Sequence, residues 1–171
     1  MTKVRRLSAG DWQLLKAIRL EMLADTPMAY VESLEAAERQ TDTQWQARAE
    51  SMTGPDSVTL IAETAERQEA VGLMRVVLRH PQRPEPPVQA VLTAVYIAPK
   101  MRGLGVADEL LHAALFAAVE LGAGTLELAV HEDNARARSF YHRHGFALTG
   151  ESHPYPQDHS RRELVMVRPL D

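Results

Sequence analysis

Arg102-Gly103-Leu104-Gly105-Val106-Ala107 stands between a strand-like apolar run, Val91 to Ala98, and a long stretch whose apolar residues recur at helical spacing. Residues of these types in this place make an anion cradle. Glycine has no Cβ, so the backbone can approach a ligand closely, and the first N–H groups of a helix lack acceptors within it and can point at phosphate oxygens. The helix dipole adds partial positive charge at that end, and Lys100 and Arg102 supply whole charges. A nucleotide-like diphosphate is the natural guest. No Gly-Lys-Ser or Gly-Lys-Thr is present, which argues against a P-loop, and the dinucleotide fingerprint that Gly103 and Gly105 open fails at Asp108.

A second constellation lies downstream. Leu126 to Val130 reads as a short strand, and Asn134, Ala137, Tyr141 and Gly145-Phe146 come after it at helical spacing. Arg102-x-x-Gly105-x-Ala107 fits the Arg/Gln-x-x-Gly-x-Gly/Ala motif of the GNAT superfamily of N-acetyltransferases, and Asn134-x-x-Ala137-x-x-x-Tyr141-x-x-x-Gly145-Phe146 resembles that family's second block. The resemblance is specific from Val91 to Phe146 and loose elsewhere.

The resemblance implies a mixed sheet of six or seven strands with helices on both faces, the two central strands splayed so that acetyl-CoA lies in the gap. Carried onto this chain, it implies that Val95, Tyr96 and Ile97 offer backbone groups to the pantetheine arm. One N–H there would polarise the thioester carbonyl, a contribution of about 2.7 to 4 kcal/mol where such a donor meets developing charge. Arg102, Gly103, Leu104, Gly105, Val106 and Ala107 would take the diphosphate, and Asn134 the pantetheine arm. Asn134 equally suits the N-cap of the next helix, with Asp133 as its competitor. Arg143 either reaches the third phosphate of the coenzyme or is a solvated helix residue.

The resemblance places Tyr141 at the family's general-acid position. When an amine attacks the thioester, the sulfur leaves as a thiolate that is better protonated. A phenol of pKa about 10 holds its proton at neutral pH and can pass it to a thiolate of pKa about 8.5. The base is less evident. The strand from Val91 to Ala98 has no glutamate, and Tyr96 is a poor base at neutral pH. Glu32 and Glu35, beside Tyr30 in the segment that walls the acceptor site in relatives, and His131 are the other candidates. Each is also readable as a solvated residue. A water chain, or an amine that arrives neutral, would need no dedicated base.

These groups need a scaffold. Val4 to Leu7 reads as a strand, Leu14, Leu15, Ile18 and Met22 as a helix that Pro27 interrupts, and Thr43 to Met52 as a second helix closed by Gly54-Pro55. Ser57 to Glu63 and Ala70 to Leu78 read as strands, and Pro81, Pro84, Pro86 and Pro87 as a stiff connection. Val106, Leu110, Leu111, Ala114, Leu115, Ala118 and Val119 mark the core face of the helix after the cradle, which should cap at Gly122. Phe146 to Gly150 reads as a strand, followed by a polar loop through His159 and a last strand, Glu163 to Val167. Trp12 and Trp45 read as packing anchors of the two N-terminal helices.

Length and composition fit one domain over residues 1–171, with 45% hydrophobic residues. A net charge of −4 disfavours nucleic acid as a partner. The absence of cysteine excludes a disulfide framework, a thiolate metal site and an acyl-cysteine intermediate. His142 and His144 are two apart and do not make a metal pair, so no metal is expected. No signal-like or membrane-spanning run is present, and a cytoplasmic setting is expected.

Two function classes fit these residues. One is an enzyme moving an acetyl group from acetyl-CoA to a primary amine by direct attack in a ternary complex. The other is a non-catalytic acyl-CoA-binding sensor or assembly domain. Tyr141 favours the first, since a binding module needs no proton donor there. Antibiotic, polyamine, amino acid and protein N-terminus all remain open as acceptors. Glu21, Asp25, Glu32, Glu35 and Glu38 lean towards a cationic one, and the resemblance leaves a homodimer open.

Overall fold

The structure, a computed structural model, describes residues 1–79 and 86–171. Pro81 and Pro84 of the expected stiff connection lie outside these. Alternating and continuous apolar runs form seven strands: β1 (Thr2–Arg6), β2 (Ser57–Thr64), β3 (Ala70–Leu78), β4 (Gln89–Ile97), β5 (Thr125–His131), β6 (Ala147–Tyr155) and β7 (Asp158–Pro169). The helices are α1 (Trp12–Asp25), α2 (Leu34–Glu38), α3 (Asp42–Met52), α4 (Val106–Glu120) and α5 (Ala135–Arg143). The strands make one sheet in the order β1-β2-β3-β4-β5-β7-β6, antiparallel at every step except β4–β5. This is the mixed sheet that the sequence implied.

The β4–β5 step positions the site. Pairing there covers only Gln89 to Val91 against Thr125 to Glu127, while β5 pairs with β7 along its whole length. Beyond Val91 the two central strands diverge. β4 also bulges against β3: the register jumps between Leu73 and Arg75, and Ala94 takes a φ of +53°. A bulge bends its strand, here turning the stretch from Val95 to Ile97.

Local chemistry sets the element ends. The Thr41 hydroxyl accepts from the Gln44 N–H while the Gln44 side chain accepts from the Thr41 N–H, a capping box that starts α3 a residue before Thr43. α4 buries Val106, Leu110, Leu111, Ala114, Ala117 and Ala118; Leu115 is only partly buried and Val119 is 44% exposed, because the stripe follows a 3.6-residue period that leaves Val119 to one side. Trp45 is fully buried between α1, α3 and β2, and Trp12 packs beside that cluster.

Two elements differ from their sequence expectation. α2 has five residues, too short to show a helical period, and is started by the Ser33 side chain accepting from the Ala36 N–H. The segment from Glu151 to His159, expected as a loop, belongs to the β6–β7 hairpin. β6 is the last strand in the sheet order, and an edge position tolerates Pro154 because no further strand needs its missing N–H.

Candidate active site

From the end of β4 the chain passes through a 3-10 turn, Pro99–Met101, into the cradle. Gly105 is the N-cap of α4 with φ +85°, and Gly103 has φ +78°. Such values cost a residue with a side chain about 1–2 kcal/mol. A Cβ on either glycine would meet nothing within 4 Å, so both face open space. The N–H groups from Gly103 to Asp108 make no well-formed backbone hydrogen bond among the described residues, which leaves a run of donors at the helix start. Asp108 lies in the first turn, but its Oδ1 is 2.8 Å from His144 Nε2, which ties it to the end of α5.

The cations that the sequence offers here are already engaged. Arg102 donates to Asp25 (2.7 Å) and to the Ile97 carbonyl (3.0 Å), and Lys100 lies 3.7 Å from Glu69. The main-chain amides are therefore the free donors of the cradle.

Where the strands have diverged, the end of β4, the cradle and α5 line a cavity of about 730 Å³, within the range of small-ligand sites. Val95, Tyr96, Ile97, Arg102, Gly103, Gly105, Ala107, Asn134, Tyr141 and Tyr30 all line it. Leu104 and Val106 do not: the Leu104 side chain is exposed and Val106 points into the core. Arg136 and Arg143 on α5 also line the cavity, and neither has an ion pair among the described residues. Their i, i+7 spacing, with Phe140 between them, was a sequence signal for a shared face that would have found Arg136. Tyr30 donates to the Val95 carbonyl (2.9 Å), so that carbonyl already has a partner. Tyr96 donates to Glu21 (3.2 Å), and burial followed by the charges of Glu21 and Asp25 pushes its pKa up, which removes it further from any role as a base.

Tyr141 sits at the far wall on α5. It is 7% exposed, and its hydroxyl makes no hydrogen bond among the described residues. Burial, with a smaller contribution from Tyr30, pushes its pKa up to about 12. Asn134 caps the helix: its Oδ1 accepts from the Ala137 N–H (3.0 Å), which leaves the amide NH₂ available to the cavity. Asp133 pairs with Arg161 instead. At the other end, Gly145 N–H donates to the His142 carbonyl and Phe146 N–H to the Tyr141 carbonyl, each at 3.0 Å. These are the two bonds of a Schellman motif, and its apolar contact is Phe146 against the Tyr141 ring, 5.7 Å between centroids. The Tyr-x-x-x-Gly-Phe spacing is thus a helix end that fixes the tyrosine.

The other candidates lie elsewhere. Glu32 is held by Arg19 (3.0 Å) and Arg48 (2.7 Å) and lines neither this cavity nor its neighbour. Burial alone would raise its pKa, but the hydrogen bonds from Arg48 and Arg19 outweigh that and hold it below the ordinary glutamate value. Glu35 is exposed and pairs with Arg39. His131 lines the neighbouring cavity, of about 590 Å³, which shares Thr26, Ala29 and Asn134 with the first. Its Nδ1 accepts from the Asp133 N–H (3.1 Å), so the lone pair a base would use is occupied. Among the described residues no group of three or more His, Asp or Glu side chains is placed to hold a metal ion, and no helix is long and apolar enough to cross a membrane.

The sequence model of the Acetyltransferase (GNAT) family matches residues 17–146. An uncharacterized N-acetyltransferase of Mycobacterium tuberculosis is 35% identical over 79 residues, covering 46% of this chain and 51% of the relative. The chain thus spans about half the length of the curated relatives it matches. Among solved structures, an acetyltransferase of the GNAT family from Streptococcus pneumoniae superimposes with a TM-score of 0.76 at 18% identity over 100% of both chains. The PaiA N-acetyltransferase of Thermoplasma acidophilum, solved in complex with coenzyme A, does so with a TM-score of 0.67 at 21% identity over 99% of both. With the family's sequence model spanning most of its length, and with the splayed strands and the glycine cradle in place, this chain belongs to the GNAT acetyltransferase family.

Proposed function

We propose that the protein transfers the acetyl group of acetyl-CoA to a primary amine by direct attack in a ternary complex. One observation carries the reading: a buried, unpartnered phenol and a run of unpartnered helix-start amides line the same cavity. The amides from Gly103 to Asp108 would hold the diphosphate, Arg136 and Arg143 would add charge there, and the Asn134 amide would reach the pantetheine arm. The acetyl thioester then lies between Val95–Ile97 and Tyr141. The amine nitrogen bonds to the acetyl carbon, the carbon–sulfur bond breaks, and Tyr141 protonates the departing sulfur. The amine arrives neutral or gives its ammonium proton to water, and the further proton that its nitrogen sheds on becoming an amide passes through water to restore the Tyr141 hydroxyl. The second cavity, which shares Thr26, Ala29 and Asn134 with the first, supports entry of the acceptor from the side of Met28 and Tyr155. The coenzyme's supply supports a cytoplasmic setting.

The Tyr141→Phe variant tests this. The transfer rate should fall tenfold or more while CoA affinity changes little. An unchanged rate would remove Tyr141 as the acid, and a non-catalytic coenzyme-binding domain would show no transfer before or after the substitution.

A further inference from the structure

Among the described residues a single carboxylate lines the cavity that contains the cradle, and it stands at the cradle itself. Asp108 is the third residue of α4, counted from Val106 after the Gly105 cap. It is the residue at which the dinucleotide fingerprint fails, and no step of the proposed transfer uses its charge. An anion here opposes a diphosphate, because it repels the phosphates and competes with them for the positive start of the helix. From the third position a carboxylate or amide side chain also folds back on helix-start N–H groups. Two other element starts of this chain show that fold-back: Asp11 accepts from the Ser8 N–H and Gln44 from the Thr41 N–H, each at 2.8 Å over the same three-residue reach.

Asp108 does not fold back. Its Oδ1 lies 2.8 Å from His144 Nε2, the one side-chain hydrogen bond between α4 and α5 among the described residues. An ionised carboxylate only accepts, so the imidazole donates. His144 is the fixed partner of the two, its side chain 14% exposed against 51% for Asp108. Its ring lies against Phe140, 4.7 Å between centroids, and His112, 5.5 Å, while Arg168 on β7 donates to its carbonyl (2.7 Å). The donor is therefore in place before any ligand arrives, and it draws the carboxylate aside from the unpartnered amides of Gly103 to Asp108.

We propose that His144 is a positioning residue for coenzyme binding: by holding the Asp108 carboxylate, it keeps the helix-start amides open to the diphosphate. The inference rests on the coenzyme reading of the cradle. His144 takes no part in bond exchange and acts only through Asp108. The two ends of this hydrogen bond are thus unequal. A strut between two helices is lost whichever end is removed. A restraint on a competing anion is different: without His144 the carboxylate is released onto the cradle, whereas without the carboxylate there is nothing to restrain.

Calorimetric titration of the full chain with CoA tests it. His144→Phe keeps a ring between Phe140 and His112 but removes the donor, and should weaken CoA binding about tenfold or more, as the loss of a hydrogen bond to a charged group implies. Asp108→Ala breaks the same bond, retains the main-chain amide, and should bind CoA no less tightly than the parent protein. The double variant should regain the affinity of Asp108→Ala. Loss of folded chain lowers the number of sites titrated, not the affinity of those that remain, so it does not imitate this pattern. Parent-level affinity in His144→Phe, a tenfold loss in Asp108→Ala, or a His144→Phe loss that Asp108→Ala does not reverse overturns the proposal and leaves the coenzyme site standing. No binding of CoA by the parent protein overturns both.

Discussion

A phenol with its pKa near 12 is a weaker acid than free tyrosine, but it is never without its proton at the pH of a cell. Against a thiolate of pKa about 8.5 the transfer is uphill by roughly 3.5 pKa units. The same dry cavity narrows that gap, because desolvation raises the pKa of the nascent thiolate too. The consequence is a one-sided pH profile. Tyr141 acts while protonated, so kcat/KM should not fall between pH 7 and 10, and the rising limb should follow the pKa of the acceptor amine. Exchanging the acceptor for one of different pKa should move that limb by the same amount; a limb that stays fixed whatever the amine would instead identify a titrating group of the protein as the base. At this scale the sequence exposed Gly103, Gly105, Asn134 and Tyr141, because each is fixed by a local spacing. It could not expose the partners that decide what a charge does. Asp25 is 77 positions from Arg102, and the two cations that hold Glu32 come from α1 and α3. Such pairs are set by how the helices and loops pack together and leave no local pattern.

The helix ends show how a motif turns into a position. α4 and α5 both end in a Schellman motif at a glycine, Gly122 with φ +86° and Gly145 with φ +85°. Replacing either by alanine should cost about 1–2 kcal/mol, a fall in Tm of about 2–4 °C for each kcal/mol. The two should part in kinetics. Tyr141 is in the last turn before Gly145 and its ring packs on Phe146, so Gly145→Ala should also lower kcat, whereas Gly122→Ala, at the end of α4 remote from the cradle, should leave it close to the parent value. Equal kinetics in the two variants at matched stability would break the link between this helix end and the acid. Elements were legible where a period runs long enough to be counted, as in α1, α4 and β5. α2 fell short of one, and the full β6–β7 hairpin was hidden because its exposed, polar edge strand carries almost no apolar alternation. Cross-strand pairing with β7, rather than side-chain pattern, extends it.

For the molecule as a whole, the splay divides one sheet into two parts. β1 to β4 form one, β5, β7 and β6 the other, and across the step between them only Gln89 to Val91 pair with Thr125 to Glu127. Arg79 with Glu127 and the Gly124 N–H on the Val88 carbonyl reinforce that same closed end, whereas the open end carries the cavity. A ligand filling the gap supplies contacts that the missing ladder does not, and binding only the folded state must stabilise it. At a hundred times its dissociation constant, CoA should add about 2.7 kcal/mol, or roughly 5–11 °C in Tm for a chain of this size. The gain should be local in hydrogen exchange, with new protection in Leu92 to Ile97 and Leu128 to His131, whose edges face the gap, and little change in β1 and β2. NAD carries a diphosphate but no pantetheine arm, so it can touch the cradle without filling the splay and should give neither effect. Stabilisation by NAD equal to that by CoA, or protection confined to the start of α4, would mean that the cradle binds a diphosphate while the gap between the strands is left unused.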